Sequence, residues 1–210
     1  VFCVLITQVD LTKDSFNHPE VFGRIESSIR HSIFQVLAII TTTGFVTADY
    51  TAWNSFLTIF FFGLMFLGGS AGSTSGGIKI VRHLLMIKSG VLEFKRALHP
   101  NAIIQSRYNE KVVSQEIIGN ILGFFILYML SFILGSLVFG FIGLDFESAI
   151  GVAASSLGNV GPAIGDFGPA SNFSNLPPLG KLWSSFLMLM GRLELFTVLI
   201  LLTRYFWKNN

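Results

Sequence analysis

The sequence predicts an all-α integral membrane protein made of repeated helix–pore-loop–helix units with re-entrant half-helices. Three observations carry this expectation. First, 51% of the 210 residues are hydrophobic and 12% are charged, with a mean hydropathy of +0.65, whereas a soluble domain carries about 25% charged residues. Second, two apolar helices of about half the spanning length run straight into polar, glycine-bearing loops. Third, the order helix, half-helix, glycine loop, helix occurs twice.

Residues 1–9 read as the last turns of a membrane helix. The apolar start has no basic leader and no initiator Met, so no cleavable signal is visible, and the sequence is expected to begin inside a helix as a fragment. Residues 10–20 hold Asp10, Lys13, Asp14 and Pro19 and form a loop. Residues 23–40 have a helical pattern, but the apolar part, 28–40, is about 20 Å long at 1.5 Å per residue. That is too short for a hydrocarbon core of about 30 Å. It runs into Thr41-Thr42-Thr43-Gly44-Phe45. This stretch admits two readings: a polar turn between helices, or a re-entrant loop whose carbonyls line an ion path. Irregular backbone at membrane depth is tolerated only where it is buried in protein or lines a watery cavity.

The apolar run 52–67 breaks at a ten-residue stretch of Gly, Ser, Thr and Ala, 68–77, and the apolar pattern resumes from Ile78 to about Ile87. So many weak helix formers predict one helix interrupted in its middle. Residues 92–111 read as a polar connection. Lys79, Arg82, Lys88, Lys95, Arg96, Arg107 and Lys111 are half of the chain's fourteen Lys and Arg, so the positive-inside rule puts 79–111 in the cytoplasm. Residues 117–144 carry no charge and form the clearest transmembrane helix. Residues 146–156 are a second half-length helix, leading into Leu157-Gly158-Asn159-Val160-Gly161-Pro162-Ala163-Ile164-Gly165. A loop, 166–181, precedes a last transmembrane helix, 182–206. Arg204, Trp207 and Lys208 give that helix a basic, interfacial finish on the cytoplasmic side.

The repeat is visible in residues as well as in order. Trp53-Asn54-Ser55-Phe56-Leu57 after the first loop matches Trp183-Ser184-Ser185-Phe186-Leu187 after the second. A full span plus the basic connection separates the loops, so both open to the outer face. The units are 1–90, with the first helix truncated and the second broken at 68–77; a basic connection, 91–112; and 113–210. Each half-helix turns its partially negative C-terminal end to the membrane interior, where a cation is stabilised. Neither loop contains Asp or Glu, which favours a carbonyl cage over an acidic calcium site. The single cysteine, Cys3, excludes an internal disulfide, and His18, His31, His83 and His99 have no metal-ligand spacing. A nucleotide P-loop is a poor match at 68–79, because Ile78 separates Gly77 from Lys79 and no Ser or Thr follows. The net charge of +2 gives no reason to expect a nucleic-acid partner.

Several stretches together resemble the TrkH subfamily of the Trk/Ktr/HKT potassium transporters. They are Thr41-Thr42-Thr43-Gly44-Phe45, Ser156-Leu157-Gly158-Asn159-Val160-Gly161-Pro162, Gly68-Gly69-Ser70-Ala71-Gly72-Ser73-Thr74 with Gly76-Gly77-Ile78-Lys79, Leu98-His99-Pro100-Asn101-Ala102 and Gly191-Arg192-Leu193-Glu194. The resemblance implies a K⁺-channel-like fold of four such units around one pore, of which this chain holds the third and the fourth; the missing N-terminal repeats then complete the pore. It implies K⁺ uptake across the inner membrane of a bacterium, with no cofactor and no enzymatic activity. The filter residues are then Thr42, Thr43, Gly44, Phe45, Asn159, Val160, Gly161 and Pro162, with K⁺ at Thr43, Gly44, Val160 and Gly161.

The resemblance also implies a gate made of Gly68, Gly69, Gly72, Gly76 and Gly77, held closed by a pore-facing Arg192. Read from the residues alone, 68–77 is also compatible with a flexible kink, and Arg192 with a snorkelled or locally paired cation. Asn159 either orients its loop or is a simple turn asparagine. The implied partners, besides K⁺ and the bilayer, are a second copy of the chain and a cytoplasmic nucleotide-binding subunit of RCK type. The alternatives are a membrane solute carrier with broken helices and a piece with no transport of its own.

Overall fold

The structure is a computed structural model that describes residues 24–99, 107–108, 111–193, 195–202 and 206–207. The expected helix at 1–9 and loop at 10–20 lie outside the described residues. The chain is mostly helical, and it departs from the all-α expectation in two short strand pairs. The helices are α1 (Arg24–Ile40), α2 (Ser55–Leu64), α3 (Ile80–Leu98), α4 (Gln115–Ile142), α5 (Phe146–Gly158), α6 (Pro178–Arg192) and α7 (Leu195–Leu202). Strands β1 (Leu67–Gly68) and β2 (Ile78–Lys79) pair in parallel, and β3 (Arg107–Tyr108) pairs antiparallel with β4 (Lys111–Val112).

Helix α4 spans about 42 Å at 1.5 Å per residue and is the one described helix long and apolar enough to cross a membrane. The Ser114 side chain caps its start by accepting from the Ile117 amide. Gly143 at φ 105° ends it, with bonds Gly143 N→Gly140 O of 3.0 Å and Leu144 N→Phe139 O of 3.2 Å, the paired pattern of a glycine-terminated helix. Its outward face exposes Leu122, Ile126, Leu130, Ile133, Leu137 and Phe141, a surface suited to lipid tails.

Helix α5 sits between α4 and α6. From Ser148 to Gly158 nearly every residue is buried, and most are small. Ala149, Gly151, Ala153 and Ala154 let neighbouring backbones approach closely, the usual device for helix packing in a membrane. The core divides accordingly. Phe124, Tyr128, Phe139, Val152, Leu157, Leu187 and Met190 form one cluster around α5. Ile39, Tyr50, Trp53, Leu57, Phe61 and Met65 form another, which Ala154, Val160 and Ile164 join from the second unit. Phe66 and Phe132 pack against both, with their rings 5.1 Å apart and nearly perpendicular.

Three expected boundaries need correction. Helix α3 continues past Ile87 to Leu98, through what reads as a polar connection. A Glu93–Arg96 pair on its face and Lys95 and Arg96 in its last turn favour the extension. The last helix begins at Pro178, because a proline at the first helical position presets φ. The Trp53 and Trp183 motifs therefore meet different local structure: Asn54 caps α2, while Ser184 lies inside α6. Leu57 and Leu187 nevertheless fill equivalent buried places, at 0% and 1% exposure. Finally, α6 stops at Arg192 and α7 starts at Leu195, so no continuous helix covers 182–206. The break leaves Arg192 in the last turn of α6, where the dipole favours a cation.

At the start of α5, the Asp145 carboxylate accepts from the Ser148 amide at 3.2 Å. The Ser148 hydroxyl, with the amides of this first turn, holds the Asp145 carboxyl below the usual carboxylate range. A depressed carboxylate stabilises the fold above its unfolded value and loses that contribution as pH falls through its folded one. Asp145→Ala should therefore cost about 1 kcal/mol at neutral pH, read as a lower midpoint in thermal unfolding in detergent. The difference from Asp145 should shrink below about pH 4, and Asp145→Asn should keep the cap and lose this acid dependence.

Candidate functional site

Helices α1 and α5 end in loops of the same hydrogen-bond pattern. In the first loop Thr42 N donates to Ile39 O at 3.0 Å and Thr43 N to Ala38 O at 2.9 Å. In the second, Asn159 N donates to Ser156 O at 3.1 Å and Val160 N to Ser155 O at 3.0 Å. The left-handed residues correspond as well: Thr42 (φ 54°) and Gly44 (φ 75°) match Asn159 (φ 55°) and Gly161 (φ 110°), while Thr43 and Val160 between them keep negative φ. A non-glycine residue tolerates positive φ poorly, apart from Asn and Asp, so Thr42 is the more strained of its pair.

The loops meet at their glycines. A Cβ on Gly44 would lie 2.5 Å from the Val160 carbonyl oxygen, and one on Gly161 would lie 3.5 Å from Gly44 Cα. Thr43, Gly44, Val160 and Gly161 are thus brought together. Phe45 and Pro162 correspond in sequence but not in setting: Phe45 is 70% exposed and Pro162 is buried. A cavity of about 520 Å³ opens beside both glycines, with Pro162, Phe167, Asn172 and Met188 also in its wall.

Polar side chains brace these loops, and all but Asn159 were missed by sequence reasoning. Tyr50, fully buried, donates its hydroxyl to the Ala163 carbonyl at 2.8 Å and so ties the first loop's exit to the second loop. Gln35 Nε2 donates to Ala48 O at 2.8 Å, and His31 Nδ1 lies 3.1 Å from Thr47 Oγ1. The Ser155 hydroxyl donates to Gly161 O at 2.8 Å and accepts from Gly161 N at 3.2 Å. The Asn159 amide donates to Met188 O on α6 at 3.0 Å. A usable signal was present for Tyr50, Gln35 and Ser155: polar atoms in a mostly apolar region need partners.

The stretch 69–77 is a loop whose stems, β1 and β2, pair as Leu67↔Ile78 and Gly68↔Lys79. Gly76 packs on the base of the second loop, where a Cβ would lie 2.4 Å from Gly158 O. Gly68 packs on Gly76, Gly69 on the Ser73 and Ser75 side chains, and Gly77 on Gly68, while Gly72 has open space around it. Gly191 abuts the Leu157 carbonyl, which sets Arg192 near the base of the same loop. Arg192 is exposed, and among the described residues no hydrogen bond or ion pair joins it to 68–77. The cation that does contact the loop is Lys79, with Nζ 2.7 Å from Ser73 O and 2.6 Å from Ser75 O. Among the described residues no group of three His, Cys, Asp or Glu is placed to hold a metal ion.

The chain as a whole resembles known proteins. The chain is 38% identical over 189 residues to the Trk system potassium uptake protein TrkH of Escherichia coli K12, covering 90% of this chain and 39% of that protein. It is 38% identical over 187 residues to TrkI of Halomonas elongata, covering 87% and 37%. The crystal structure of the potassium transporter TrkH from Vibrio parahaemolyticus superposes with a TM-score of 0.81 at 33% identity, over 99% of this chain and 43% of that one. The chain thus spans about two fifths of the length of these relatives. The TrkH family, described as cation transport proteins, matches residues 1–207, and the chain belongs to that family.

Proposed function

We propose that this chain forms half the wall of a potassium-conducting pore in the inner membrane of a bacterium. The observation that carries the reading is the matched pair of loops touching at Gly44 and Gly161, each alternating left-handed and ordinary backbone. Such alternation can turn successive carbonyls toward one side, where they replace the water of a dehydrating cation. The names of the relatives, potassium uptake proteins and a potassium transporter, supply the ion.

In this reading K⁺ rests on the carbonyls of Thr43, Gly44, Val160 and Gly161, flanked by Thr42, Phe45, Asn159 and Pro162. Moving an unpaired ion into a low-dielectric interior costs of order 20 kcal/mol by a Born estimate, so carbonyls and the negative ends of α1 and α5 must offset nearly all of it. The Gly161 carbonyl already accepts from Ser155 and has one lone pair left for an ion. Helices α1 and α5 are re-entrant and their loops open outward, while 79–111 and the C-terminus face the cytoplasm. Repeats N-terminal to this segment in a longer protein complete the ring. The units 1–90 and 113–210 are the third and fourth repeats, joined by 91–112.

The 68–77 loop is the gate below the filter, with Gly68, Gly69, Gly72, Gly76 and Gly77 letting it fold compactly and Arg192 adding positive charge beside it. The exposed basic residues of α3, Lys88 and Lys95, suit a cytoplasmic nucleotide-binding regulator of RCK type. The transporter acts as a homodimer, with no cofactor and no catalytic chemistry.

Uptake of Rb⁺ by the full-length transporter carrying this segment, in a strain lacking its own K⁺ uptake, tests the reading. Growth at low K⁺ should be restored, and growth no better than with an empty vector contradicts it. Gly44→Ala should lower uptake by about tenfold or more, since a left-handed alanine costs roughly 1–3 kcal/mol and its methyl strikes the Val160 carbonyl. At the gate, Gly76→Ala should destabilise by about 1–3 kcal/mol through overpacking, while Gly72→Ala, with open space around it, should leave the thermal midpoint unchanged.

A further inference from the structure

The loop 69–77 contains only Gly, Ser, Thr and Ala and has no large apolar side chain to anchor it. Its internal bonds are local. Ser73 N and Ser73 Oγ both donate to Ser70 O, at 3.0 and 2.8 Å. Gly69 N donates to Ser75 Oγ at 3.0 Å, and the Ser73 and Ser75 hydroxyls lie 2.6 Å apart. These bonds converge on Ser73 and Ser75. The half-buried Lys79 leaves the β2 stem and sends its ammonium to the same two residues, at 2.7 Å from Ser73 O, 2.6 Å from Ser75 O and 3.4 Å from Ser73 Oγ.

Resting on the gate reading above, we propose that Lys79 is the positioning residue that latches this loop, its ammonium serving as a tethered cation in a cage of the loop's own oxygens. Charge-assisted hydrogen bonds are about twice as strong as neutral ones, so these contacts outweigh each neutral bond within the loop. The parallel stem pairing sets the base of the Lys79 side chain beside Gly68, and the four-carbon stem then spans the loop. The chemistry is that of backbone carbonyls holding a cation, with the cation supplied by the chain. Release of the ammonium leaves Ser73 and Ser75 with only the neutral local bonds to Ser70, Gly69 and each other. Lys79 thereby couples the compact form of the loop to one charge.

The test uses the full-length transporter in a cysteine-free background, with Cys3 replaced by Ser. Lys79→Cys should raise Rb⁺ flux into proteoliposomes by roughly tenfold, the factor that one lost charge-assisted hydrogen bond is worth. Aminoethyl methanethiosulfonate, which rebuilds an ammonium on the cysteine, should bring the flux back toward that of the Lys79 protein. The neutral ethyl reagent should not. Flux in Lys79→Cys equal to or below that of the Lys79 protein, or reversal by both reagents alike, overturns the latch. A second readout is independent of transport. Ala71→Cys on the exposed part of the loop should react with maleimide faster in a Lys79→Met protein than with Lys79 present; equal rates overturn the latch. If the unaltered protein carries no Rb⁺, the transport reading fails, while the labelling rates still decide the latch.

Discussion

The constraint on which the two loops depend is the meeting of their backbones at Gly44 and Gly161. Where a side chain on Gly44 would begin, the Val160 carbonyl oxygen already stands. That approach demands two helices ending at the same depth, two loops of the same handedness, and a scaffold stiff enough to keep them in contact. The small residues of α5 answer the first demand by letting α4 and α6 close on it. The Tyr50 hydroxyl answers the last, crossing from one unit to hold the Ala163 carbonyl of the other. Buried with its hydroxyl satisfied, Tyr50 fixes the spacing of the loops as a strut, and its ring lies 4.7 Å from that of Phe61.

The two loops are alike in plan and unequal in detail. The loops share their turn bonds and their left-handed positions, yet the serine that engages both polar groups of Gly161 has Ala38 as its counterpart in the first unit. Gly44 N instead makes a long bond of 3.4 Å to Ala38 O. The second loop is the better braced, from Ser155 beneath it, from Asn159 to α6 and from Ser148 to the Asp166 amide at 2.9 Å. The first is held chiefly from α1, by Gln35 and by His31. Thr42 keeps a left-handed backbone without glycine's freedom or asparagine's tolerance of it. Strain of this kind persists only where the surroundings over-determine it, and here the bonds into α1 do so.

Much of the plan was legible in the sequence because it rests on short-range chemistry. The ending of α1 and α5 at glycine-bearing loops, the uncharged run of α4 and the glycine break after α2 all follow from composition along the chain. The ends of α3 and α6 did not, for physical reasons. Polarity alone does not stop an amphipathic helix, so α3 ran on to Leu98. A proline that breaks a helix interior starts one at its first turn, so Pro178 marked a beginning. The split at Leu193 was hidden by the mostly apolar runs on either side of Gly191-Arg192-Leu193-Glu194, 186–190 and 195–202, which read as one helix. Within the site, the glycines were legible because few residues accept their backbone. For Tyr50 and Ser155 the sequence signals only that a polar atom in an apolar region needs a partner, and for Lys79 not even that, since the partners are carbonyls that no side-chain pattern reveals. Lys79 in particular read as a mark of topology, and its contacts with Ser73 and Ser75 appear only once the loop is folded.

The pairing of β1 with β2 has a mechanical consequence. Its parallel register, with the Ile80 amide reaching the Gly69 carbonyl at 3.2 Å, fastens the two ends of the 69–77 segment to each other. A segment closed on itself in this way can change shape without bending α2 or α3. Its motion then belongs to the class of loop rearrangements, on nanoseconds to microseconds, and not to the slower collective shifts of helices. The surrounding bundle can stay rigid, and the contact between Gly44 and Gly161 need not be disturbed each time the segment moves.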